Sequence, residues 1–315
     1  MKKLLPIYLI IITFIITSCQ PNDRRINPSS DVITIDSLKI NRKVLVVGID
    51  GFRSDIMTPE ITPFINSLSQ KNNTYFTLDH ITEEITYSGP NWSSMLTGVH
   101  MDKHNVIDNS FDNNSYNYYP SFFHYIEKAN PSINTASIVN WIPINTHLLS
   151  NHTDHYNTET MNDSTVFEFT KNLLTHNFLP MDVVFVQLDE LDGAGHSYGF
   201  HPTIEEYTNT ANKIDEYTEM LFNIVQNKRA SGEDWLFFVI SDHGGEETSH
   251  SDGSNPNINQ TIFFAEHPDL QFKANCCYTS SQVDLAPTIL DFIGISSTYF
   301  EATTDGVSVL EPKTE

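Results

Sequence analysis

The chain has 315 residues, which is long enough for one large α/β domain or for two small domains. It contains 17 Lys+Arg against 40 Asp+Glu, and the resulting formal net charge of −23 argues against a nucleic-acid polymer as a partner. No internal repeat, heptad run or low-complexity linker divides the chain, so a single folded domain is expected.

The first residues have the features of an export signal. Two lysines form a basic start, and an apolar segment from Leu4 to Ile16 follows them. This segment is too short to cross a bilayer comfortably, since a spanning helix needs about 20 apolar residues. Residues 1–18 are therefore predicted to be a signal peptide and are left out of the fold prediction.

The apolar segment ends in Ile16-Thr17-Ser18-Cys19, which resembles the lipobox of bacterial lipoproteins. The resemblance implies cleavage before Cys19, lipidation of that cysteine and attachment to a membrane of the cell envelope. Gln20 follows, and by the same resemblance it implies the outer membrane, facing the periplasm or the surface. The polar residues 19–41 are predicted to be a tether. The alternative is an ordinary secretory signal with a chance cysteine.

Residues 42–315 are predicted to form the folded domain, because strand and helix patterns alternate along them. The predicted strands are 44–49, 136–141, 183–188, 235–240 and 261–265. The predicted helices are 54–72, a short helix starting at Ser88, 121–128, 164–174, 203–227 and 282–293. The aperiodic residues 143–161 are predicted to be a loop over the site. This alternation predicts an α/β sandwich with a mostly parallel central sheet flanked by helices.

Acidic residues follow three of the predicted strands. The acids are Asp50, Asp192 and Asp242, and the histidines that accompany them are His196, His243 and His250. One acid at a strand end is often only a turn residue, but three at the same edge of a parallel sheet favour a ligand site. Mixed carboxylate and imidazole ligands suit zinc best, with manganese or iron as alternatives. Six such groups and a serine oxygen are enough for two ions.

Ser88 precedes Gly89-Pro90 at a predicted helix start. The N-terminus of a helix favours an anion, because its first N–H groups are unpaired and its dipole is positive there. Ser88 is therefore either a site residue or a simple N-cap.

Taken together and in this order, the segments from about Val44 to Val309 resemble the alkaline phosphatase superfamily, and most closely its type I phosphodiesterase and nucleotide pyrophosphatase branch. The segments are Val47 to Arg53, Ser88 to Asn91, Asp192 to His196, Ser241 to Gly245, His250 and Val283 to Leu290. The resemblance implies the α/β sandwich of that superfamily, two zinc ions, and hydrolysis of a small-molecule phosphate ester.

The resemblance also implies roles for individual residues. The ligands of one zinc are then Asp192, His196 and His250. The ligands of the other are Asp50, Asp242, His243 and the oxygen of Ser88. Ser88 is the implied nucleophile and carries the phosphoryl group until water releases it. Asn91 and the backbone from Gly89 to Asn91 are expected to donate hydrogen bonds to a non-bridging phosphoryl oxygen.

The sequence departs from the branch at two positions. The branch usually has threonine where this chain has Ser88, which keeps a nucleophilic hydroxyl but weakens the branch assignment. His250 is not followed by the usual glycine, which leaves His267 as an alternative ligand. Asp189 is an alternative to Asp192.

The same fold also carries other functions. A sulfatase needs an arginine where this chain has Trp92, so that activity is disfavoured. A phosphomonoesterase usually adds a cation for the dianionic phosphate, and the candidates here are Arg53 and Lys103. With so few candidate cations, diester or phosphonate substrates are favoured, because a singly charged diester needs less positive charge than a monoester. A phosphomonoesterase stays an alternative. A non-catalytic envelope lipoprotein that binds a ligand is the alternative of another class.

Overall fold

The computed structural model of the protein describes residues 33–176, 179–274, 278–295 and 304–312. The predicted signal peptide, Cys19 and residues 20–32 of the predicted tether lie outside these ranges. Of residues 33–41, also predicted to be tether, Ile33 is buried and Ile35 forms an antiparallel bridge with Ile295, whereas residues 36–38, 40 and 41 are exposed. Within the described ranges, no helix combines the length and the apolar character that crossing a membrane requires.

A seven-stranded sheet forms the centre of the fold. Its strands are β1 (Arg42–Ile49), β2 (Thr74–Ile81), β3 (Thr135–Val139), β4 (His155–Tyr156), β5 (Val183–Leu188), β6 (Asp234–Ser241) and β7 (Gln260–Glu266). Across the sheet their order is β2-β7-β6-β1-β5-β3-β4. Neighbours from β6 to β4 pair in parallel, whereas β7 pairs antiparallel with both β6 and β2. The mostly parallel sheet predicted from the sequence is confirmed.

Helices cover both faces of this sheet. They are α1 (Pro63–Leu68), α2 (Ser88–Thr97), α3 (Met101–His104), α4 (Phe122–Ala129), α5 (Asp163–Thr175), α6 (Glu190–Tyr198), α7 (Glu205–Ala230), α8 (Pro256–Asn259) and α9 (Leu285–Ile293). Successive side chains of a strand point to opposite faces. Val44 and Val46 of β1 accordingly join the core under α2, α4 and α9, whereas Leu45 and Val47 join the core under α1, α5 and α7. The predicted α/β sandwich is confirmed.

The helix predicted over residues 54–72 is much shorter in the structure. Ser54–Ile56 forms one turn of 3-10 helix, and α1 begins only at Pro63. A proline is tolerated in the first turn of a helix but cannot continue one that arrives from its N-terminal side. The carboxylate of Asp215 in α7 accepts hydrogen bonds from two backbone N–H groups at the start of α1, both at 2.8 Å. It thereby supplies the acceptors that a preceding helical turn would have provided.

Two further segments differ from the sequence-based expectation. The pattern does not predict β2, because Asp79 and His80 interrupt its apolar residues. Residues 143–161 are not a loop over the site but contain a π-helical turn, Ile144–Leu149, and the edge strand β4. The side chain of Asn157 pairs with both the N–H and the carbonyl of Val139, so an amide takes the place of a neighbouring strand.

Candidate metal centre

The carboxyl ends of three neighbouring parallel strands lie level at one edge of the sheet. Ile49 of β1 is in register with Leu188 of β5 and with Ser241 of β6. The residues that follow these strand ends are Asp50, Asp189 and Asp242. Open α/β sheets collect ligands at this edge, and here the fold fills it with carboxylates.

Helix α6 and the loop after β6 bring the first predicted ligand group together. Asp192 and His196 are four residues apart in α6 and therefore share one face of that helix, with His196 Nε2 3.4 Å from Asp192 Oδ2. His250 reaches the same point from the other side, and its Nε2 lies 3.1 Å from His196 Nε2. The structure thus unites the three residues predicted for one zinc.

The second predicted group surrounds the start of α2. Ser88 is the first residue of that helix, as predicted, and its Oγ lies 3.3 Å from Nε2 of His243. The same Nε2 is 3.4 Å from Asp50 Oδ1 and 3.3 Å from Asp242 Oδ2. Ser88 is 6% exposed, whereas Asp242 and His243 are wholly buried. The hydroxyl therefore lies between the buried ligands and the solvent.

Three buried carboxylate oxygens in this cluster have no hydrogen-bond partner. They are Asp50 Oδ1, Asp192 Oδ1 and Asp242 Oδ2. Burying a charged oxygen without a partner is costly, which makes these three atoms the natural ligands of cations. The possible ligand atoms of Asp50, Asp242 and His243 lie within 4.8 Å of one another, and so do those of Asp192, His243 and His250. Oxygen and nitrogen donors in these numbers fit zinc.

Backbone carbonyls fix the tautomer of each histidine in the cluster. In all three, Nδ1 lies 2.8 or 2.9 Å from a carbonyl oxygen. The carbonyls of Thr248, Gly244 and Thr86 serve His196, His243 and His250, respectively. A carbonyl can only accept, so Nδ1 carries the proton and Nε2 presents a lone pair to the centre. Metal-ligating histidines are oriented in this way.

Burial without a counter-ion raises the pKa of the carboxyl groups. Desolvation, followed by the charge of Asp50, raises the pKa of Asp192 to about 9 and holds that of Asp242 well above its usual range. Burial also lowers the pKa of His243 and of His250 to about 3, so both imidazoles are neutral at pH 7. Without metal, the protons of the cluster therefore reside on its acids.

Zinc binding is accordingly expected to release protons, about one to two per chain near pH 7.5, because the ions displace them from Asp192 and Asp242. Affinity is expected to weaken as the pH falls. Calorimetric titration in two buffers of different ionisation enthalpy counts the released protons. A count of zero at this pH would contradict the pKa shifts.

The same shift links the stability of the metal-free protein to pH. The pKa of Asp192 is raised from 3.8 to about 9 on folding, so its contribution is fully present below 3.8 and is lost as the pH rises through about 9. This contribution therefore makes the metal-free protein less stable as the pH rises towards 9, while zinc binding strengthens over the same range.

Asn91 lies one turn into α2, but its side chain is used locally. Its Oδ1 accepts the N–H of Glu83, and its Nδ2 donates to the carbonyls of Ile85 and Tyr87. Its contact with a phosphoryl oxygen stays a prediction, and it requires at least one of these bonds to break. In the structure the side chain stabilises the segment from Glu83 to Tyr87, which leads into α2.

Asn109 stands beside Ser88, although no pattern in its own stretch of sequence marks it as a site residue. Its Oδ1 accepts the N–H of Gly89 at 2.8 Å, and its side chain is exposed. A Cβ at Gly89 would lie only 2.6 Å from the carbonyl oxygen of Asp108, so this close approach requires a glycine. Gly89 was the available signal, since a glycine in the first turn of a helix often marks a chain passing nearby.

The alternative ligands lie elsewhere or serve other partners. His267 pairs with Asp234 at the start of β6, at the opposite edge of the sheet, with Nε2 2.6 Å from Oδ1. Asp189 is at the correct edge, but its Oδ1 accepts a hydrogen bond from Gln187 at 3.0 Å. The geometry therefore favours His250 and Asp192 over both.

The two candidate cations are held in ion pairs. Arg53 is 2% exposed, and its guanidinium pairs with Asp55 and Glu246 while also donating to two backbone carbonyls. Lys103 Nζ lies 2.6 Å from Asp305 Oδ1. Both positive charges are thus neutralised by neighbouring acids rather than by an anion at Ser88.

A serine at a helix N-terminus beside clustered carboxylates and imidazoles, at the carboxyl edge of a parallel sheet, is an arrangement that suits a metal-dependent hydrolase. The model of the type I phosphodiesterase / nucleotide pyrophosphatase family matches residues 44–276, and the chain belongs to this family. The chain is therefore a phosphoric ester hydrolase of a metal-dependent family.

Solved structures share the fold at low sequence identity. Murine ectonucleotide pyrophosphatase / phosphodiesterase 5, an inactive form in complex with AMP, is 13% identical with a TM-score of 0.62, over 86% of this chain and 100% of that one. The C-terminal periplasmic domain of EcEptC from Escherichia coli, in complex with Zn, is 16% identical with a TM-score of 0.60, over 87% and 88%. A 2-O GAG sulfatase is 12% identical with a TM-score of 0.63, over 85% and 73%. A search of the curated proteins finds no match.

Proposed function

We propose that the protein hydrolyses small phosphodiesters of the nucleotide type through a phosphoryl intermediate on Ser88 at a two-zinc site. The observation that carries this proposal is the set of three partnerless buried carboxylate oxygens that face imidazole Nε2 atoms beside the Ser88 hydroxyl. One zinc would be held by Asp192, His196 and His250. The other would be held by Asp50, Asp242, His243 and the Ser88 oxygen.

Bound zinc would act as a Lewis acid that lowers the pKa of the Ser88 hydroxyl and stabilises the departing oxygen. Ser88 Oγ gives its proton to solvent and attacks phosphorus, and the new bond forms as the bond from phosphorus to the leaving oxygen breaks; the leaving group takes a proton from solvent and departs as an alcohol. Water then attacks the phosphoserine, releases a phosphate monoester and returns a proton to Ser88. The N-terminus of α2, where Ser88 stands, favours the negative phosphoryl group throughout.

Asn109 supplies the hydrogen bond to a non-bridging phosphoryl oxygen in this proposal. Its Oδ1 is fixed by the N–H of Gly89, which leaves Nδ2 to donate next to Ser88. A donor already in place where charge develops needs no reorganisation during the reaction. Asn91 would then act by holding the entry to α2 rather than by touching the substrate.

The charge of the site supports a diester as substrate. Arg53 and Lys103 are neutralised by acids, so neither offers the clamp that a dianionic monoester requires. A diester carries one negative charge and needs less compensation. The AMP complex of the murine structure supports a small nucleotide ester as the class of substrate for this chain.

The test is the zinc content of the purified protein together with its turnover of bis-p-nitrophenyl phosphate and p-nitrophenyl phosphate. We expect about two zinc ions per chain and faster hydrolysis of the diester, because the two candidate cations among the described residues, Arg53 and Lys103, are paired with acids. Faster hydrolysis of the monoester would favour the phosphomonoesterase alternative. Two ions with neither ester hydrolysed would point to a phosphonate, which a phosphonate assay then decides.

We also propose that Cys19 carries a lipid that anchors the protein to the outer membrane of the cell envelope. The support is the signal-like segment before it and the lipobox resemblance of residues 16–19. Metabolic labelling with a fatty acid, compared between the natural protein and Cys19→Ala, tests this anchor, and equal labelling of both would refute it.

A further inference from the structure

The two carboxylate oxygens of Asp50 have different surroundings. Oδ1 faces the centre and has no hydrogen-bond partner. Oδ2 accepts two hydrogen bonds, from the indole Nε1 of Trp92 at 3.0 Å and from Nε2 of Gln187 at 3.1 Å. All three side chains are buried. The carboxylate is therefore oriented by two N–H groups on one side and open to a ligand on the other.

Trp92 is placed for this contact by its own helix and by a glycine in the sheet. It lies four residues after Ser88 in α2, so the two side chains share one face of that helix. A Cβ at Gly48 would lie 2.6 Å from Cη2 of the indole and 2.8 Å from Cζ3, so the ring occupies space that only a glycine leaves. Gly48 lies two residues before Asp50, on the face of β1 that carries Val44 and Val46. The strand thus supplies the space for the ring, and the residue that follows the strand supplies the acceptor.

Gln187 approaches Asp50 from β5. Its Nε2 donates to Asp50 Oδ2 and also to Asp189 Oδ1 at 3.0 Å, and its Oε1 accepts the N–H of Trp141 at 2.9 Å. A single amide group therefore bridges the buried carboxylate of Asp50 and the partly buried carboxylate of Asp189, which would otherwise repel each other. Since all its hydrogen-bonding atoms have partners, the amide has a defined orientation.

We infer that Trp92 and Gln187 are positioning residues that hold Asp50 so that it binds metal through Oδ1 alone. Because Trp92 belongs to the helix that begins with Ser88, it also ties the nucleophile and this ligand to one rigid element. The inference rests on the proposed two-metal function. It concerns the ion on the Ser88 side, since Asp50 is not among the ligands proposed for the other ion.

The test compares Trp92→Phe with Trp235→Phe. Both tryptophans are 0% exposed, and each donates one indole hydrogen bond to a carboxylate, Trp92 to Asp50 and Trp235 to Glu233 at 2.9 Å. Trp235 lies at the other end of β6, so its replacement reproduces the loss of ring volume away from the centre. Zinc affinity is measured at both sites by competition with a chelator, and turnover of bis-p-nitrophenyl phosphate is recorded beside it.

Trp92→Phe is expected to weaken one of the two zinc affinities by about tenfold to a hundredfold, as loss of a ligand's outer partner does elsewhere. The other affinity, and both affinities of Trp235→Phe, are expected to be unchanged. Gln187→Met removes the second donor at similar length and is expected to weaken the same site, which guards against a folding defect specific to Trp92→Phe.

Gly48→Ala provides an independent check through a double-mutant cycle. Alone, the new methyl group displaces the indole and is expected to weaken the same zinc site. In the Trp92→Phe background it is expected to cost much less, because the phenyl ring is shorter than the indole. If the effects of the two substitutions on zinc affinity were additive, displacement of the indole would not be the cause of the weaker binding in Gly48→Ala.

The outcomes separate this inference from the function on which it rests. If the natural protein binds two zinc ions and both Trp92→Phe and Gln187→Met keep the two affinities, the positioning role is overturned. The proposed function then still stands. A natural protein that binds no zinc overturns both. Selective loss at one site in Trp92→Phe and Gln187→Met, with Trp235→Phe unaffected, supports the inference.

Discussion

Replacing Ser88 with alanine is expected to lower turnover of bis-p-nitrophenyl phosphate by a factor on the order of 10⁴ to 10⁶, because the substitution removes the atom that attacks phosphorus. Metal binding is expected to persist, since the carboxylates and imidazoles of both groups remain. Steady-state kinetics and elemental analysis of the same preparation measure the two effects together. Intact zinc content together with lost turnover would show that Asp50, Asp242 and His243 suffice to hold the ion and that Ser88 acts as the nucleophile.

Ser121→Ala is the matched control for this experiment. Ser121 is also a buried serine at a helix start, immediately before α4, and its hydroxyl has no hydrogen-bond partner. Its replacement is expected to leave turnover within about twofold, as for most substitutions outside a site. If Ser88→Ala retained turnover comparable to that of Ser121→Ala, direct attack by water would replace the phosphoserine pathway.

Replacing Asp242 with asparagine is expected to have opposite effects on activity and on stability. The exchange keeps the size of the side chain but puts an amide in place of a carboxylate whose Oδ2 has no partner. Zinc on the Ser88 side is expected to be lost, and turnover to fall by about 10³ or more, because the nucleophile is no longer activated. Zinc content after dialysis and turnover measure this loss.

The metal-free form of the same variant is expected to be more stable than the metal-free natural protein at pH 8. Burial and the charges of Asp50 and Asp192 hold the pKa of Asp242 well above its usual range, so the ionised carboxylate is unfavourable in the empty cluster. Thermal unfolding in the presence of a chelator measures this gain. Asp234→Asn, at the other end of the same strand, is the control and loses its pairs with Arg42 and His267 instead. A metal-free Asp242→Asn protein that melts below the natural one would contradict the pKa shift.

The sequence predicts the centre of the fold better than its borders. β1, β5 and β6 are short apolar runs buried by helices on both faces, so their boundaries in the structure lie within two residues of the predicted ones. The parallel pairing of these strands then brings Asp50 and Asp242 to one edge. At the edge of the sheet the expectation of a short apolar run fails, because β2 contains polar residues and forms a strand through its pairing with β7.

The sequence could predict which candidate ligands come together where a regular element carries them or ends beside them. Asp192 and His196 need only a helix to come together, and the structure provides α6. Asn109 and the Trp92 contact could not be predicted in this way. Asn109 reaches Gly89 from a loop, and Trp92 meets Asp50 because a glycine two residues earlier makes room for the ring. Such contacts depend on tertiary packing between residues far apart in the sequence, and local periodicity does not predict them.

The crowding of unpartnered carboxylate oxygens has a consequence for the life of the protein in the cell. A ligand that binds only the folded state stabilises it by mass action, and the ions here would also relieve repulsion among Asp50, Asp192 and Asp242. When zinc is scarce, the unfolded fraction is expected to rise, and proteases remove unfolded chains. Zinc supply would then govern the abundance of this hydrolase, so that zinc depletion would lower the amount of folded protein as well as its activity.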